Sequence, residues 1–199
     1  MRAGVEGNHV LGSVSCVTAR YCVAIGDVYG SRNGSTGFTE IWNGRGWTYA
    51  SVPGKAGEAA SLSCPASGYC VAAGTQDGGV PAGFGQLWDG THWAQTAMPW
   101  PHETLSYLYG VSCAGKTCQA VGAAAAEAAD GNAGQPAALT WNGTSWIRQA
   151  TAPGTVGTLF GVTCVTAADC VAVGSQAGGS TRSLAEFWNG TARTKVNPT

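Results

Sequence analysis

One short pattern recurs four times along this chain and constrains its fold more than any other feature. A tryptophan, an Asn-Gly or Asp-Gly pair, two variable residues and a second tryptophan occupy residues 42–47, 88–93 and 141–146. Residues 188–193 repeat the pattern with Arg193 in place of the second tryptophan. Asn-Gly and Asp-Gly supply the positive φ angles of a tight type I′ turn between antiparallel strands. Each copy is therefore predicted to form a β-hairpin.

Each hairpin is the second half of a longer repeat. An apolar-Ser/Thr-Cys segment comes first, and a C-x-A-x-G segment follows after a short interval and leads through a variable loop to the hairpin. The first cysteines of the repeats are Cys16, Cys64, Cys113 and Cys164, which gives a period of about 50 residues. Four short strands in such a period match one blade of a β-propeller.

The sequence therefore predicts an all-β fold: a β-propeller of four four-stranded repeats of about 50 residues in a single domain, 1–199. A β-trefoil or β-prism would need three repeats, and solenoid coils are shorter or helical. Four repeats can close a four-bladed ring, form half of an eight-bladed ring made by a homodimer, or belong to a longer array. The repeats span approximately residues 10–53, 54–99, 100–153 and 154–199.

The fourth repeat differs from the others in its last strand. Arg193 stands where the earlier repeats have a tryptophan. We expect this strand to be the place where the ring is latched or where a partner chain docks.

The eight cysteines form four close pairs, each at the junction of the first two strands of a repeat. Residues that face each other across an antiparallel pair lie within the Cα separation that a disulfide accepts. Disulfides are therefore predicted, with free thiols or a metal site as alternatives, although zinc prefers closer cysteines and a second pair nearby. The predicted pairs are Cys16 with Cys22, Cys64 with Cys70, Cys113 with Cys118, and Cys164 with Cys170. Disulfides imply an oxidising compartment and hence export, although no signal peptide is visible after Met1.

The low content of charged residues limits the classes of molecule that this protein is expected to bind. Charged residues make up 11% of the chain and the net charge is -1, so the basic patch of a nucleic-acid-binding protein is not expected. No apolar run approaches the ~20 residues of a membrane span. His9, His92 and His102 form no ligand pattern. We expect neither a cofactor nor a metal.

The repeat motifs resemble a known group of proteins. The order V-S/T-C, C-x-A-x-G and W-N/D-G-x-x-W resembles the tandem repeats of secreted actinobacterial β-propeller proteins, and the hairpin is similar to those of bacterial kelch-like propellers. The resemblance covers residues 10–198. It implies secretion and a binding or scaffold role, and it carries no catalytic residues that map onto this chain.

The third repeat departs most from its siblings and supplies the candidate binding residues. Its lead-in contains Trp100, His102, Tyr107 and Tyr109, which the other repeats lack. Aromatic rings beside hydrogen-bonding groups are typical of sites for saccharides or peptides. The alternative is that these rings only fill a gap beneath the lead-in.

The repeated tryptophans have two possible roles. A large ring at the same position in every unit is typical of core packing between blades, and a stacking platform for sugar rings is the alternative. The two sets are Trp42, Trp88, Trp141 and Trp188, and Trp47, Trp93 and Trp146.

Three functional hypotheses follow. The leading one is a secreted, disulfide-stapled binding module for carbohydrate or a protein surface. A hydrolase or lyase that uses loop carboxylates at one rim is the second, although H-E-x-x-H and G-x-S-x-G motifs are missing. A structural or oligomerising repeat protein is the third. The candidate loop carboxylates are Asp27, Asp77, Glu127 and Asp130.

Overall fold

The protein folds into four antiparallel sheets, one for each repeat. The computed structural model describes residues 7–31, 34–51, 57–76, 80–100, 106–124, 134–177, 180 and 182–196. Every regular element in these ranges is a β-strand. The strands are β1 Asn8–Thr18, β2 Tyr21–Ser31, β3 Gly34–Trp42, β4 Trp47–Ser51, β5 Gly57–Ala66, β6 Tyr69–Gln76, β7 Ala82–Trp88, β8 Trp93–Thr96, β9 Ser106–Ala114, β10 Thr117–Ala124, β11 Gln135–Trp141, β12 Trp146–Gln149, β13 Gly157–Thr166, β14 Asp169–Gln176, β15 Arg182–Trp188 and β16 Arg193–Lys195.

Consecutive strands pair in chain order within each sheet. We call the sheets 1 (β1 to β4), 2 (β5 to β8), 3 (β9 to β12) and 4 (β13 to β16). The predicted all-β class and the four-stranded repeats are thus confirmed. In the described part of the chain no helix has the length and apolar character that a bilayer span requires.

Disulfides close the first hairpin of every sheet, as predicted. Cys16 faces Cys22 across β1 and β2, with the two Cα atoms 4.0 Å apart. The same bond joins the equivalent cysteines of sheets 2, 3 and 4, at Cα separations of 4.0, 3.9 and 4.1 Å. Each sheet therefore carries its own covalent constraint.

A β-bulge interrupts the first strand of every sheet at the same repeat position. In sheet 3, Gly110 pairs with Val121 and Leu108 pairs with Gly122, so Tyr109 is the extra residue. A Cβ on Gly122 would overlap the carbonyl oxygen of Tyr107. The bulge therefore explains the glycine that ends every C-x-A-x-G segment, because β-bulges bring the two backbones unusually close.

Replacing Gly122 with alanine should lower the free energy of unfolding by about 3 kcal/mol, because the new methyl group forces the bulged backbone apart. Urea denaturation followed by circular dichroism measures the change. Gly46→Ala is the matched control, since a Cβ at Gly46 meets no atom within 4 Å. Equal stability of the two variants would contradict this account of the motif.

The outer hairpin turn differs from the prediction. Four residues connect the paired Trp42 and Trp47, rather than the two of a type I′ turn, and Asn43 N donates to Gly46 O at 3.2 Å. The Asn43 Oδ1 atom accepts hydrogen bonds from the N–H groups of Arg45 and Gly46, at 2.9 and 3.0 Å. The asparagine is therefore needed as an acceptor, while the positive φ of 90° falls on Gly44.

The sheets pack face to face in sequence order. Serine hydroxyls on the first strand of one sheet accept hydrogen bonds from the first strand of the next. Ser13 Oγ accepts from Leu62 N at 3.1 Å, and Ser15 Oγ accepts from Cys64 N at 3.0 Å. Sheets 2 and 3 repeat this arrangement through Ser61 and Ser63, and Ser112 Oγ accepts the equivalent bond from Cys164 N of sheet 4. Small polar residues therefore set the register between sheets.

The tryptophan pairs follow the predicted packing role in part. The rings of sheets 2 and 3 pack against the preceding sheet, and the ring of sheet 4 is buried as well. The five buried rings are Trp88, Trp93, Trp141, Trp146 and Trp188. In sheet 1, however, Trp42 is only half-buried and Trp47 is 47% exposed. Burial of these rings depends on a preceding sheet, and sheet 1 has none within the described chain.

Within the described residues, no strand of sheet 1 makes an extensive contact with a strand of sheet 4. A four-bladed ring closed within one chain is therefore not what these strands form. Apolar side chains stay exposed on both end sheets, among them Val14 at 60% and Val173 at 50%.

Candidate ligand-binding site

The two candidate tyrosines lie side by side in β9, inside the strand rather than in a lead-in to it. Their rings stack with centroids 6.1 Å apart and planes 5° from parallel. The Tyr109 ring also contacts the Phe160 ring of sheet 4, at 5.6 Å between centroids and an angle of 55°. We call these three residues, Tyr107, Tyr109 and Phe160, the aromatic edge.

The bulge determines the position of the aromatic edge. Tyr109 and Phe160 are the bulged residues of sheets 3 and 4, and the equivalent residues of sheets 1 and 2 are Gly12 and Ala60. A bulged residue lies outside the regular alternation of a strand, so its side chain is not directed into the core. Large rings therefore occur at this position only in the second half of the chain.

The aromatic edge is accessible. Both tyrosines are half-buried, and Phe160 is 52% exposed. Partial burial raises the pKa of Tyr109, with a further contribution from the neighbouring Tyr107, so the hydroxyl stays protonated at neutral pH. The strands that carry the edge, β9 and β13, contain no charged residue and no histidine. The site offers aromatic faces and neutral hydroxyl groups.

Trp100 lies apart from this edge. Its ring packs against the core between sheets 2 and 3, and the Arg148 guanidinium lies over it at 5.3 Å from the ring centroid. The structure thus brings Tyr107 and Tyr109 together but gives Trp100 a packing role. His102 lies outside the described residues. Sequence reasoning missed Phe160, which an alignment of the bulge positions of the repeats would have indicated.

Arg148 also lines an open groove of about 650 Å³ beside the connection from β12 to β13. Its wall is mostly polar or small, with Gln135, Thr151 and Thr155 among the lining residues. The Thr155 hydroxyl oxygen is buried and has no hydrogen-bond partner in the described structure. None of the described residues that line this groove is aromatic, which distinguishes it from the aromatic edge.

A buried polar cluster lies between sheets 3 and 4, and it corrects the expectation for Arg193. Arg193 is 4% exposed and donates from Nη2 to Gln119 Oε1 at 2.8 Å. It therefore bonds to the neighbouring sheet of its own chain instead of offering an open latch or a docking surface. Gln119 replaces the Val71 of sheet 2, so the two unusual residues occupy facing positions of adjacent sheets.

Glu186 completes this cluster. Its side chain is fully buried and accepts a hydrogen bond from Ala152 N at 3.1 Å through Oε1. Burial raises the pKa of Glu186, opposed by the Ala152 hydrogen bond and the charge of Arg193. Burial likewise lowers the pKa of Arg193, opposed by Glu186. Oε2 of Glu186 and two guanidinium nitrogens of Arg193 lack hydrogen-bond partners within the described ranges.

The acidic residues predicted for the hydrolase alternative do not form a described pair. Asp27 lies within β2 and is buried, not in a loop. Asp77, Glu127 and Asp130 lie outside the described residues. Within the part of the chain that the structure describes, no group of three or more histidine, cysteine, aspartate or glutamate side chains could hold a metal ion.

Asp89 shows the local use of a carboxylate in this fold. It occupies the turn position of Asn43 and accepts hydrogen bonds from His92 N and Thr91 N, both at 2.7 Å, and from Thr91 Oγ1 at 2.8 Å. These bonds, the one from His92 N first, lower the pKa of Asp89 to about 2. The negative charge of Asp89 therefore strengthens the hydrogen bonds that hold this turn.

Comparison with known proteins gives little further information. No protein-family model matches the chain, and no curated protein matches it. Among solved structures it is similar to one described as YCF48 bound to D1 peptide, with 11% identity, a TM-score of 0.38, and coverage of 98% of this chain and 69% of that chain. Likeness at this level says nothing about a ligand of the present chain.

Proposed function

We propose that this chain is a secreted binding module of the β-propeller type that holds neutral carbohydrate on its aromatic edge. Its motifs resemble those of secreted tandem-repeat propellers, and its four disulfides are consistent with an oxidising environment. The observation that carries the proposal is the accessible cluster of Tyr107, Tyr109 and Phe160, in which Tyr109 and Phe160 occupy the bulge position that holds Gly12 and Ala60 in the other repeats.

The chemistry of the edge favours a sugar. The apolar C–H face of a pyranose ring packs on an aromatic ring, and tyrosine hydroxyls exchange hydrogen bonds with sugar hydroxyls. The nearly parallel rings of Tyr107 and Tyr109 offer one flat surface, and Phe160 adds a second at an angle. An uncharged ligand fits best because neither β9 nor β13 contains a charged residue.

Replacing Tyr109 with alanine should weaken binding of a neutral oligosaccharide about fivefold, since one aromatic contact contributes on the order of 1 kcal/mol. An array of cello-, chito- and manno-oligosaccharides would identify the ligand, and isothermal titration calorimetry would compare the variants. Tyr49→Ala is the matched control, because Tyr49 is also a stacked, partly exposed tyrosine but lies on sheet 1.

Two results would overturn the proposal. One is a folded protein that binds none of these sugars. The other is an affinity that Tyr109→Ala leaves unchanged while Trp47→Ala abolishes it, which would transfer the site to the exposed tryptophan of sheet 1.

A further inference from the structure

The outer face of sheet 1 exposes side chains that the other sheets bury. Leu11 is 49% exposed, Val14 60% and Trp47 47%. We call these three residues the first end face. At the same repeat positions, sheets 2 and 3 bury apolar residues to 8% exposure or less: Ala59 and Leu108, Leu62 and Val111, and Trp93 and Trp146. The first end face is therefore half of an interface that occurs repeatedly inside the chain.

The outer face of sheet 4 presents the other half. Val171 is 42% exposed and Val173 is 50% exposed, and we call these two residues the last end face. Their counterparts in the earlier sheets are buried against the following sheet to 2% exposure or less: Val23 and Ile25, Val71 and Ala73, and Gln119 and Val121. In sheets 1 and 2 this face is covered by the first strand and the tryptophan hairpin of the next sheet. In sheet 3, Val121 packs against Leu159 in the first strand of sheet 4.

A glycine on sheet 4 matches the same arrangement. A Cβ on Gly110 would lie 3.1 Å from the Cα of Gly161, because the first strands of sheets 3 and 4 approach closely there. Gly161 is the equivalent residue of sheet 4, and a Cβ on it would meet only Val173 Cγ2, at 3.7 Å. Sheet 4 thus has the small residue that a close neighbour requires, and the space beside it is open.

We propose that the last end face of one copy binds the first end face of a second copy, head to tail. The chain itself supplies the complement, because sheet 1 carries the type of surface that sheets 2, 3 and 4 use against their predecessors. Thr163 occupies the position of Ser112, whose hydroxyl accepts from Cys164 N at 3.0 Å, and it would accept from Cys16 N of the second copy. Two such contacts close a ring of eight sheets from two chains and leave no end face exposed.

This contact buries aliphatic side chains on both sides, and its asymmetry allows a specific test. The wild-type protein should sediment at the mass of two chains in analytical ultracentrifugation. Val14→Arg blocks the first end face and Val173→Arg the last, so each variant alone should be a monomer. An equimolar mixture of the two variants should regain the dimer. The intact first end face of Val173→Arg can then bind the intact last end face of Val14→Arg.

Ile147→Arg is the control for these variants. Ile147 is 46% exposed on β12, away from both end faces, and its replacement should leave the dimer intact.

Gly161→Val is a second variant that does not depend on introducing charge. The added side chain has room within one chain but fills the space that a neighbouring sheet needs, so a folded monomer is expected. Circular dichroism of each variant reports whether the sheets remain folded. If the wild-type protein remained a monomer when its concentration was raised about 100-fold, the proposal would be overturned. The two end faces would then bind a different partner. Dimers of either arginine variant alone, or failure of the mixture to associate, would overturn the head-to-tail arrangement.

Discussion

Reduction of all four disulfides is expected to unfold the protein at room temperature. Each bond closes a short loop, with cysteines five or six residues apart. In the chain-entropy model such a bond lowers the entropy of the unfolded chain and thereby stabilises the folded state by about 2 kcal/mol. The bonds lie in separate sheets, so their contributions should add to about 8 kcal/mol. That sum is comparable with the ~5 to 15 kcal/mol that stabilises a typical domain.

Urea denaturation with and without a phosphine reductant would measure this effect, with far-ultraviolet circular dichroism as the signal. Intact-mass analysis after alkylation would count the bonds that were broken. A variant with both Cys64→Ala and Cys70→Ala should lose about a quarter of the stabilisation that the four disulfides contribute together. If the fully reduced protein kept its unfolding free energy to within 2 kcal/mol, the disulfides would not have the structural importance assigned to them here.

Replacing Arg193 with alanine is expected to cost about 3 to 5 kcal/mol of unfolding free energy. The change leaves the fully buried Glu186 without its neighbouring positive charge and removes the donor to Gln119. Thermal and urea denaturation would measure the loss. The informative control introduces the residues that sheet 2 has at these positions, Val71, Gln86 and Trp93, through Gln119→Val, Glu186→Gln and Arg193→Trp together, and it should be at least as stable as the wild type. A triple variant as unstable as Arg193→Ala would show that the cluster is required as a unit.

The same cluster predicts a dependence of stability on pH. Because burial raises the pKa of Glu186 in the folded state, the folded protein holds this proton more tightly than the unfolded chain. The contribution of Glu186 to the unfolding free energy should therefore be greatest below the ordinary glutamate pKa and should fall as the pH rises through the raised value. The difference between wild type and Glu186→Gln, measured at several pH values, isolates this contribution. A difference that grows in favour of the wild type with rising pH would contradict the sign.

Much of the fold was predictable because its signals are local and periodic. The cysteine spacing defines the first hairpin of each repeat, and the Trp-Asn-Gly pattern defines the last, so the strands between them follow. The two-residue type I′ turn was wrong because the asparagine acts as a hydrogen-bond acceptor across a four-residue connection. The sequence places Tyr107 and Tyr109 in a lead-in, whereas β9 begins at Ser106, before the repeated apolar-Ser-Cys pattern.

The other incorrect predictions concern features that depend on which sheets lie next to a repeat. The residues of that repeat alone do not determine its neighbours. Trp42 and Trp88 occupy the same place in their repeats, yet only Trp88 is buried, because only sheet 2 has a preceding sheet. The sequence predicts a latch or a docking strand at Arg193, because its partner, Gln119, belongs to another repeat. Facing departures in adjacent repeats were the available signal for that contact.

The repeated bulge places one variable residue in each first strand apart from the residues that stabilise the fold. Each first strand has one position, occupied in turn by Gly12, Ala60, Tyr109 and Phe160, that contributes little to what its sheet buries. Mutation there can change the exposed surface while the glycine opposite and the nearby disulfide keep the backbone fixed. Evolution, or a protein engineer, can thus alter recognition along this row one side chain at a time without having to rebuild the scaffold.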